Sequence, residues 1–259
     1  MATDTLSFHG AGNKASVLVM HGFTGTPFDV MPLANELHAK GFEVHVPLLT
    51  GHHAGVDALN NTRAEDWIGD ADNSWRALPR NKPRIVAGFS MGGLLACLLA
   101  QKYPRDVDAL LLLAPAFHLR LDGAVVGFAA RHGLWRILKS FPKSERGGDV
   151  GDENMRRQNP TGTEVPVKGL KEFERLRLKT LAEVTELGAP VWSAFGGRDH
   201  VINAKKCARV VHRISRNLVG EVWFPHSQHL LIIDKERDEV CLRALQFCEQ
   251  INAAKSRSA

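Results

Sequence analysis

The chain reads as an α/β protein: a mostly parallel sheet with helices on both faces and one small insertion. Strand-length apolar runs alternate with helix-like stretches along most of the sequence, which is the rhythm of βα units. Two of the runs, "SVLVMHG" and "ALLLLAP", are near-continuously apolar, the mark of strands covered on both faces. A length of 259 residues with 44% hydrophobic content suffices for one full-sized domain with a large core. Residues 1–259 are therefore read as a single domain.

The elements follow in order. "TLSFHG" opens as a short strand, and "SVLVMHG", residues 16–22, is the first buried strand. "TPFDVMPLANELHAKG" reads as a helix ending at Gly41, the residue type that ends helices in the left-handed conformation. "FEVHVP" is the next strand, and residues 64–78 place Trp67, Ile68, Ala71, Trp75 and Leu78 along one helical face. "RIVAGF" is a strand, followed by the helix "MGGLLACLLAQKY", stopped by Pro104, and by the buried strand "ALLLLAP". After an interruption at 116–168 come a helix at about 170–187, the strand "APVWSAFG", the helix "INAKKCARVVHRI", the strand "GEVWFP" and a closing helix at about 235–252. The tail "AAKSRSA" is expected to be disordered.

The interruption begins apolar and basic, as one or two helices, and continues rich in Gly, Asp, Asn and Pro, as loop. Its place between two sheet strands predicts an insertion over the strands' C-terminal ends, where open α/β sheets bind ligands.

Composition excludes several classes. The net charge of +5 is spread thinly, which argues against a nucleic-acid surface. Cys97, Cys207, Cys241 and Cys248 show no metal spacing and are expected as free thiols in a reducing compartment. The first residues carry no signal-peptide pattern and no run reaches membrane-spanning length, so a cytoplasmic location is expected. His52 and His53 form a pair without a third ligand beside them, and Asp149, Asp152 and Glu153 do not fit calcium-loop spacing.

The chemistry centres on "AGFSMGG". Gly88-Phe89-Ser90-Met91-Gly92 is a G-x-S-x-G motif between a strand and a helix, the setting of a nucleophile elbow. An alcohol needs a base to attack. His229 lies after the last strand, at the same sheet edge, with His226 as its rival. The base needs an orienting carboxylate, and Asp199 follows the strand "APVWSAFG" at that edge. Read singly, each has a commonplace alternative: a Gly-rich turn, a solvated loop histidine, an Asx turn or helix N-cap. Together they give the chain order Ser, Asp, His. Oxyanion donors are expected from the backbone N–H of Met91 and of Phe23 in "HGFTGTP".

These motifs make the chain resemble the α/β-hydrolase superfamily, and within it the small carboxylesterase and monoacylglycerol-lipase group, also grouped with serine aminopeptidase-like hydrolases. The matching pieces are "VLVMHGFTGTP", "PLLTGHH", "AEDWIGDA", "VAGFSMGGLLA", "GGRDHVIN" and "SQHLLIIDKERDEV". The resemblance implies an α/β-hydrolase fold, a catalytic triad of Ser90, Asp199 and His229, and oxyanion donors Phe23 and Met91. It implies hydrolysis of small-molecule esters, short- to medium-chain esters or monoacylglycerols, through an acyl-enzyme on Ser90 and without cofactor or metal. Thioester, amide or carbon–carbon hydrolysis by the same site stays open, as does a slow-turnover ligand receptor. One departure is "GHHAG", where the family often reads Gly-His-Gly. Residues 127–143 mix apolar and basic side chains. They are read as a lid helix that touches a membrane surface transiently or admits an acyl chain, or one that packs on the domain with its basic face in water. Oligomeric state is not legible.

Overall fold

The computed structural model describes residues 7–143 and 150–256. Its centre is four strands in which every residue is buried: β2 (Ser16–Met20), β4 (Arg84–Phe89), β5 (Ala109–Leu113) and β8 (Val191–Gly196). Successive side chains of a strand point to opposite faces, so full burial of both sets requires cover on both sides of the sheet. These strands run parallel to their neighbours, with Val86 of β4 opposite Leu18 and Leu110. Flanking them are β3 (Glu43–Val46), β1 (Phe8–Gly10) and β9 (Leu218–Phe224). The sheet has seven strands in the order β1-β3-β2-β4-β5-β8-β9, and the β1–β3 pair is antiparallel.

The cover comes from helices placed between strands. One group contains α1 (Met31–Ala39) and the closing helix α9 (Arg237–Ser256), which pack together. Another contains α3 (Ala64–Ala77), α4 (Met91–Lys102) and α7 (Val167–Glu183), also in mutual contact. Trp67 and Trp75 of α3 are among the largest fully buried side chains, as the helical spacing predicts. The amphipathic α8 (Ala204–Ile214) buries Cys207, Val211 and Ile214 against β8. The four cysteines are free and buried; burial pushes the thiols of Cys207 and Cys241 up to about 12, so they stay protonated and inert.

Several boundaries differ from the sequence reading, each for a local reason. The helix expected from residue 26 is a 3-10 turn, Pro27–Val30, followed by α1. Pro32 lacks an N–H, so it belongs in the first turn of a helix. A short α2 (Gly55–Asn61) was not legible. The closing helix runs through Ser256, so residues 253–256 of the expected disordered tail are helical. Lys255 pairs with Asp108 at 2.6 Å and the Ser256 hydroxyl donates to the Asn252 carbonyl at 2.8 Å. Residues 5–6 of the expected first strand and 257–259 of the tail lie outside the described residues, as does Asp149.

The insertion differs most. Residues 127–143 are not one helix. The helix α5 (Leu121–Arg131) ends ahead of Gly133, which sits at φ +120, and a 3-10 turn, Leu134–Arg136, follows. Then β6 (Ser140–Pro142) pairs antiparallel with β7 (Glu164–Pro166). The stretch expected as loop also holds α6 (Glu153–Gln158), whose N-cap Asp152 accepts from Asn154 and Met155 N–H. Among the described residues no helix is long and apolar enough to cross a membrane.

Because β5 is covered on both faces, trimming one of its side chains opens a cavity that neighbours cannot refill. Leu111→Ala should lower the unfolding free energy in urea by about 2–5 kcal/mol. An unchanged midpoint would mean that this strand is not at the centre.

Candidate active site

The site begins at the turn between β4 and α4. Ser90 has φ 54 and ψ −111, a conformation that costs a non-glycine residue roughly 1–3 kcal/mol. The surrounding glycines permit it by close approach. A Cβ on Gly88 would collide with the Gly92 carbonyl, one on Gly92 with the Met20 carbonyl, and one on Gly93 would come within 2.9 Å of Pro115 Cβ. The turn is tied down where Ser90 N–H donates to the Leu113 carbonyl at 2.9 Å, and the Ser90 carbonyl accepts from Gly93 and Ala116 N–H.

Two further strand ends supply partners. At the end of β8, glycines 196 and 197 let the loop after β9 come close: Cβ atoms there would strike the backbone of Ser227, Gln228 and Pro225. Gly197 N–H donates to Phe224 and Arg198 N–H to Ser227, at 2.8 and 3.0 Å. The Asp199 loop and the His229 loop are thereby sewn together. His229 Nδ1 lies 2.7 Å from Asp199 Oδ2, and its Nε2 lies 2.9 Å from Ser90 Oγ. An ionised carboxylate only accepts, so the proton sits on Nδ1 and Nε2 is left to accept from the serine hydroxyl. Asp199 Oδ1 accepts from Val201 and Ile202 N–H at 2.8 and 2.9 Å. The Asx turn and the hydrogen bond to His229 thus coexist in one carboxylate. All three side chains are buried. His226, the rival, is exposed, and its backbone N–H is held by Glu236.

The loop carrying Phe23 lies against the serine: a Cβ on Gly22 would stand 3.2 Å from Ser90 Cβ. His21 sets its direction. Leu49 N–H donates to His21 Nε2 at 3.1 Å, so the neutral ring carries its proton on Nδ1, 2.9 Å from the Gly22 carbonyl. In a trans peptide the carbonyl and the following N–H point oppositely, so anchoring the Gly22 carbonyl also orients the N–H of Phe23. Met91 opens α4 directly after Ser90. His21 was missed by sequence reasoning; a histidine closing a buried strand just before glycine was its only signal.

His52 supports the same loop. Its ring meets His21 edge-on at 4.8 Å and also contacts Phe23 and Trp67. Burial lowers its pKa to about 4, and burial drops His21 well below the usual imidazole range. His53, at the departure noted above, adopts φ +60, where glycine is the default residue. Among the described residues no group of three His, Cys, Asp or Glu side chains is placed to hold a metal ion.

A cleft of about 520 Å³ opens above Ser90 and His229. Its walls include Leu119, Val126, Phe141, Val165, Leu170 and Phe173, many of them from the insertion. Phe173 stacks on Phe23 at 5.2 Å. The insertion's root is pinned to the Asp199 loop: Arg120 N–H donates to Val201 and Asn203 N–H to His118, at 2.9 and 2.8 Å. The arrangement provides an alcohol, a base, a carboxylate beside that base and a cleft with an apolar wall, the parts that acyl transfer needs.

Comparison with known proteins adds the following. A family model described as serine aminopeptidase, S33, matches residues 11–236. The thermostable monoacylglycerol lipase of Bacillus sp. (strain H-257) is 26% identical over 241 residues, 93% of this chain and 92% of that protein. The carboxylesterase of Bacillus subtilis (strain 168) is 24% identical over 244 residues, 93% of this chain and 95% of that protein. A structure solved for the metagenome-derived lipolytic enzymes LipS and LipT matches with a TM-score of 0.83 at 23% identity, covering 94% of this chain and 97% of that one. The fold is the α/β-hydrolase fold.

The two buried rings give stability a pH dependence. They are neutral when folded and take up protons on unfolding below the ordinary imidazole pKa of about 6.5. The unfolding free energy should therefore fall as pH drops from about 6.5 toward the His52 value of about 4. Urea titrations at several pH values check this, and His52→Gln should flatten the slope. A wild-type profile level across the window would contradict neutral rings.

Proposed function

The chain belongs to the serine aminopeptidase family of α/β hydrolases, and from that premise we propose that it is a serine esterase acting on short- to medium-chain carboxylic esters or monoacylglycerols. The observation that carries the reading is the hydrogen-bonded chain Asp199–His229–Ser90 beneath an apolar cleft. Its similarity to a monoacylglycerol lipase and a carboxylesterase over 93% of its length supports the substrate class.

Ser90 Oγ attacks the ester carbonyl while its proton passes to His229 Nε2. The backbone N–H groups of Phe23 and Met91 hold the oxyanion. Asp199 stabilises the imidazolium, which then protonates the leaving alcohol. Water, deprotonated by the same histidine, releases the acid and frees Ser90. The whole chain acts as one catalytic domain, with residues 116–168 as its lid. The acyl chain lies along the lid-side apolar wall.

The lid also presents a lipid-facing surface. Val125, Phe128 and Ile137 are 59%, 60% and 84% exposed, and Arg131 and Arg136 lie beside them. Apolar side chains rimmed by cations suit transient contact with an anionic bilayer.

Hydrolysis of p-nitrophenyl esters from two to sixteen carbons, and of a monoacylglycerol, tests the activity. Ser90→Ala should lower turnover by roughly three or more orders of magnitude with the fold intact; retention of most activity would overturn the assignment. Sedimentation with phosphatidylglycerol vesicles tests the surface. Phe128→Glu with Ile137→Glu should cut the bound fraction several-fold while leaving short-ester turnover unchanged. Equal binding by both proteins would remove the lid from membrane contact.

A further inference from the structure

The loop that carries His229 hangs from two carboxylates that the proposed reaction does not use. Glu236 accepts from His226 N–H at 2.9 Å and from the Ser227 hydroxyl at 2.8 Å. Asp234 is fully buried between the 3-10 turn Leu231–Ile233 and α9. Its Oδ2 accepts from Gln228 N–H at 2.6 Å, and its Oδ1 from Lys235 N–H at 2.8 Å. A third donor comes from the lid: Gly151 N–H reaches Oδ1 at 2.9 Å, from 83 residues earlier in the chain.

Burying a carboxylate is costly unless donors surround it. Here the donors are backbone N–H groups from separate segments, an arrangement that locates those segments relative to one another. Gln228 immediately precedes His229. On the lid side a Cβ at residue 151 would stand 3.1 Å from Asp234 Oδ1, so glycine keeps that approach unstrained. The neighbouring Asp152 lies 3.4 Å from Arg237 of α9 and reinforces the same junction.

We propose that Asp234 is a positioning residue that fixes the backbone before His229 and ties that backbone to the lid at Gly151. The inference rests on the acyl-transfer reading. Docking of the lid and alignment of the base share one carboxylate, so loosening either loosens the other.

Asp234→Asn tests it. The amide keeps the size but turns an NH2 toward one of the N–H donors, so one side must let go. With a soluble short-chain p-nitrophenyl ester, kcat should fall roughly 10- to 100-fold with KM nearly unchanged, as expected for a misplaced catalytic group. The acid limb of the kcat/KM profile should shift. By NMR, the downfield His229 Nδ1 proton should move or broaden, and Gly151 N–H should lose exchange protection, while circular dichroism shows a folded protein at the assay temperature. Gly151→Ala, which crowds only the lid side, should move the same signals less.

A folded Asp234→Asn protein with wild-type kcat, pH profile and His229 proton signal would overturn the proposal, as would losses that merely track the unfolded fraction. The NMR readouts need no turnover. If the wild type hydrolyses no ester, the esterase reading fails, and the His229 signal still decides the role of Asp234.

Discussion

Everything at this site depends on how closely α4 approaches β4. Ser90 can hold its strained backbone only because Gly88, Gly92 and Gly93 carry no side chains where strand, helix and the Met20 and Pro115 segments meet. That contact lifts the hydroxyl above the sheet edge and makes Met91 the first residue of a helix, where backbone N–H groups have no intrahelical acceptor. The four fully buried strands keep the edge rigid. The strain is thus balanced by packing spread over the whole sheet, and the serine cannot relax without separating helix from strand.

Around this fixed point the remaining parts are positioned mostly by backbone groups. Arg198 N–H to Ser227 joins the Asp199 and His229 loops, Val201 and Ile202 N–H hold Asp199, and the His21 ring fixes the Gly22 carbonyl behind Phe23. The insertion enters through the pairing of residues 118–120 with 201–203 and returns to the turn after Phe23 where Asn159 donates to Asp29 at 3.1 Å. It therefore touches the loops that carry Asp199 and His229 and the turn that follows Phe23. An insertion so attached supplies part of the cleft wall, including Leu119, Val126, Phe141 and Val165.

The sheet was legible because its signals are local: "RIVAGF" and "ALLLL" are buried strands in any context that covers both faces, and the structure uses them as such. Ser90, Asp199 and His229 were legible because each follows a strand at one sheet edge, in an order that the fold dictates. The three-residue strands β6 and β7 were not, since their pairing joins residues far apart in sequence and neither has a pattern of its own. The same holds for His21 and Asp234. Their partners, Leu49 N–H and Gly151 N–H, come from distant segments, so their work exists only in three dimensions. Residues 253–256 show the opposite error: a polar stretch was read as disorder, though the closing helix, with its alanines and an ion pair from Lys255 to Asp108, runs as far as Ser256.

The central claim is that Ser90 is the atom that takes the acyl group. Reaction with a fluorophosphonate, followed by proteolysis and mass spectrometry, tests it without reference to substrate. The account predicts one stoichiometric adduct, on the peptide containing Ser90, formed at a rate that falls when His229 is protonated. An adduct on another residue, or continued ester hydrolysis by a protein fully labelled at Ser90, would contradict it.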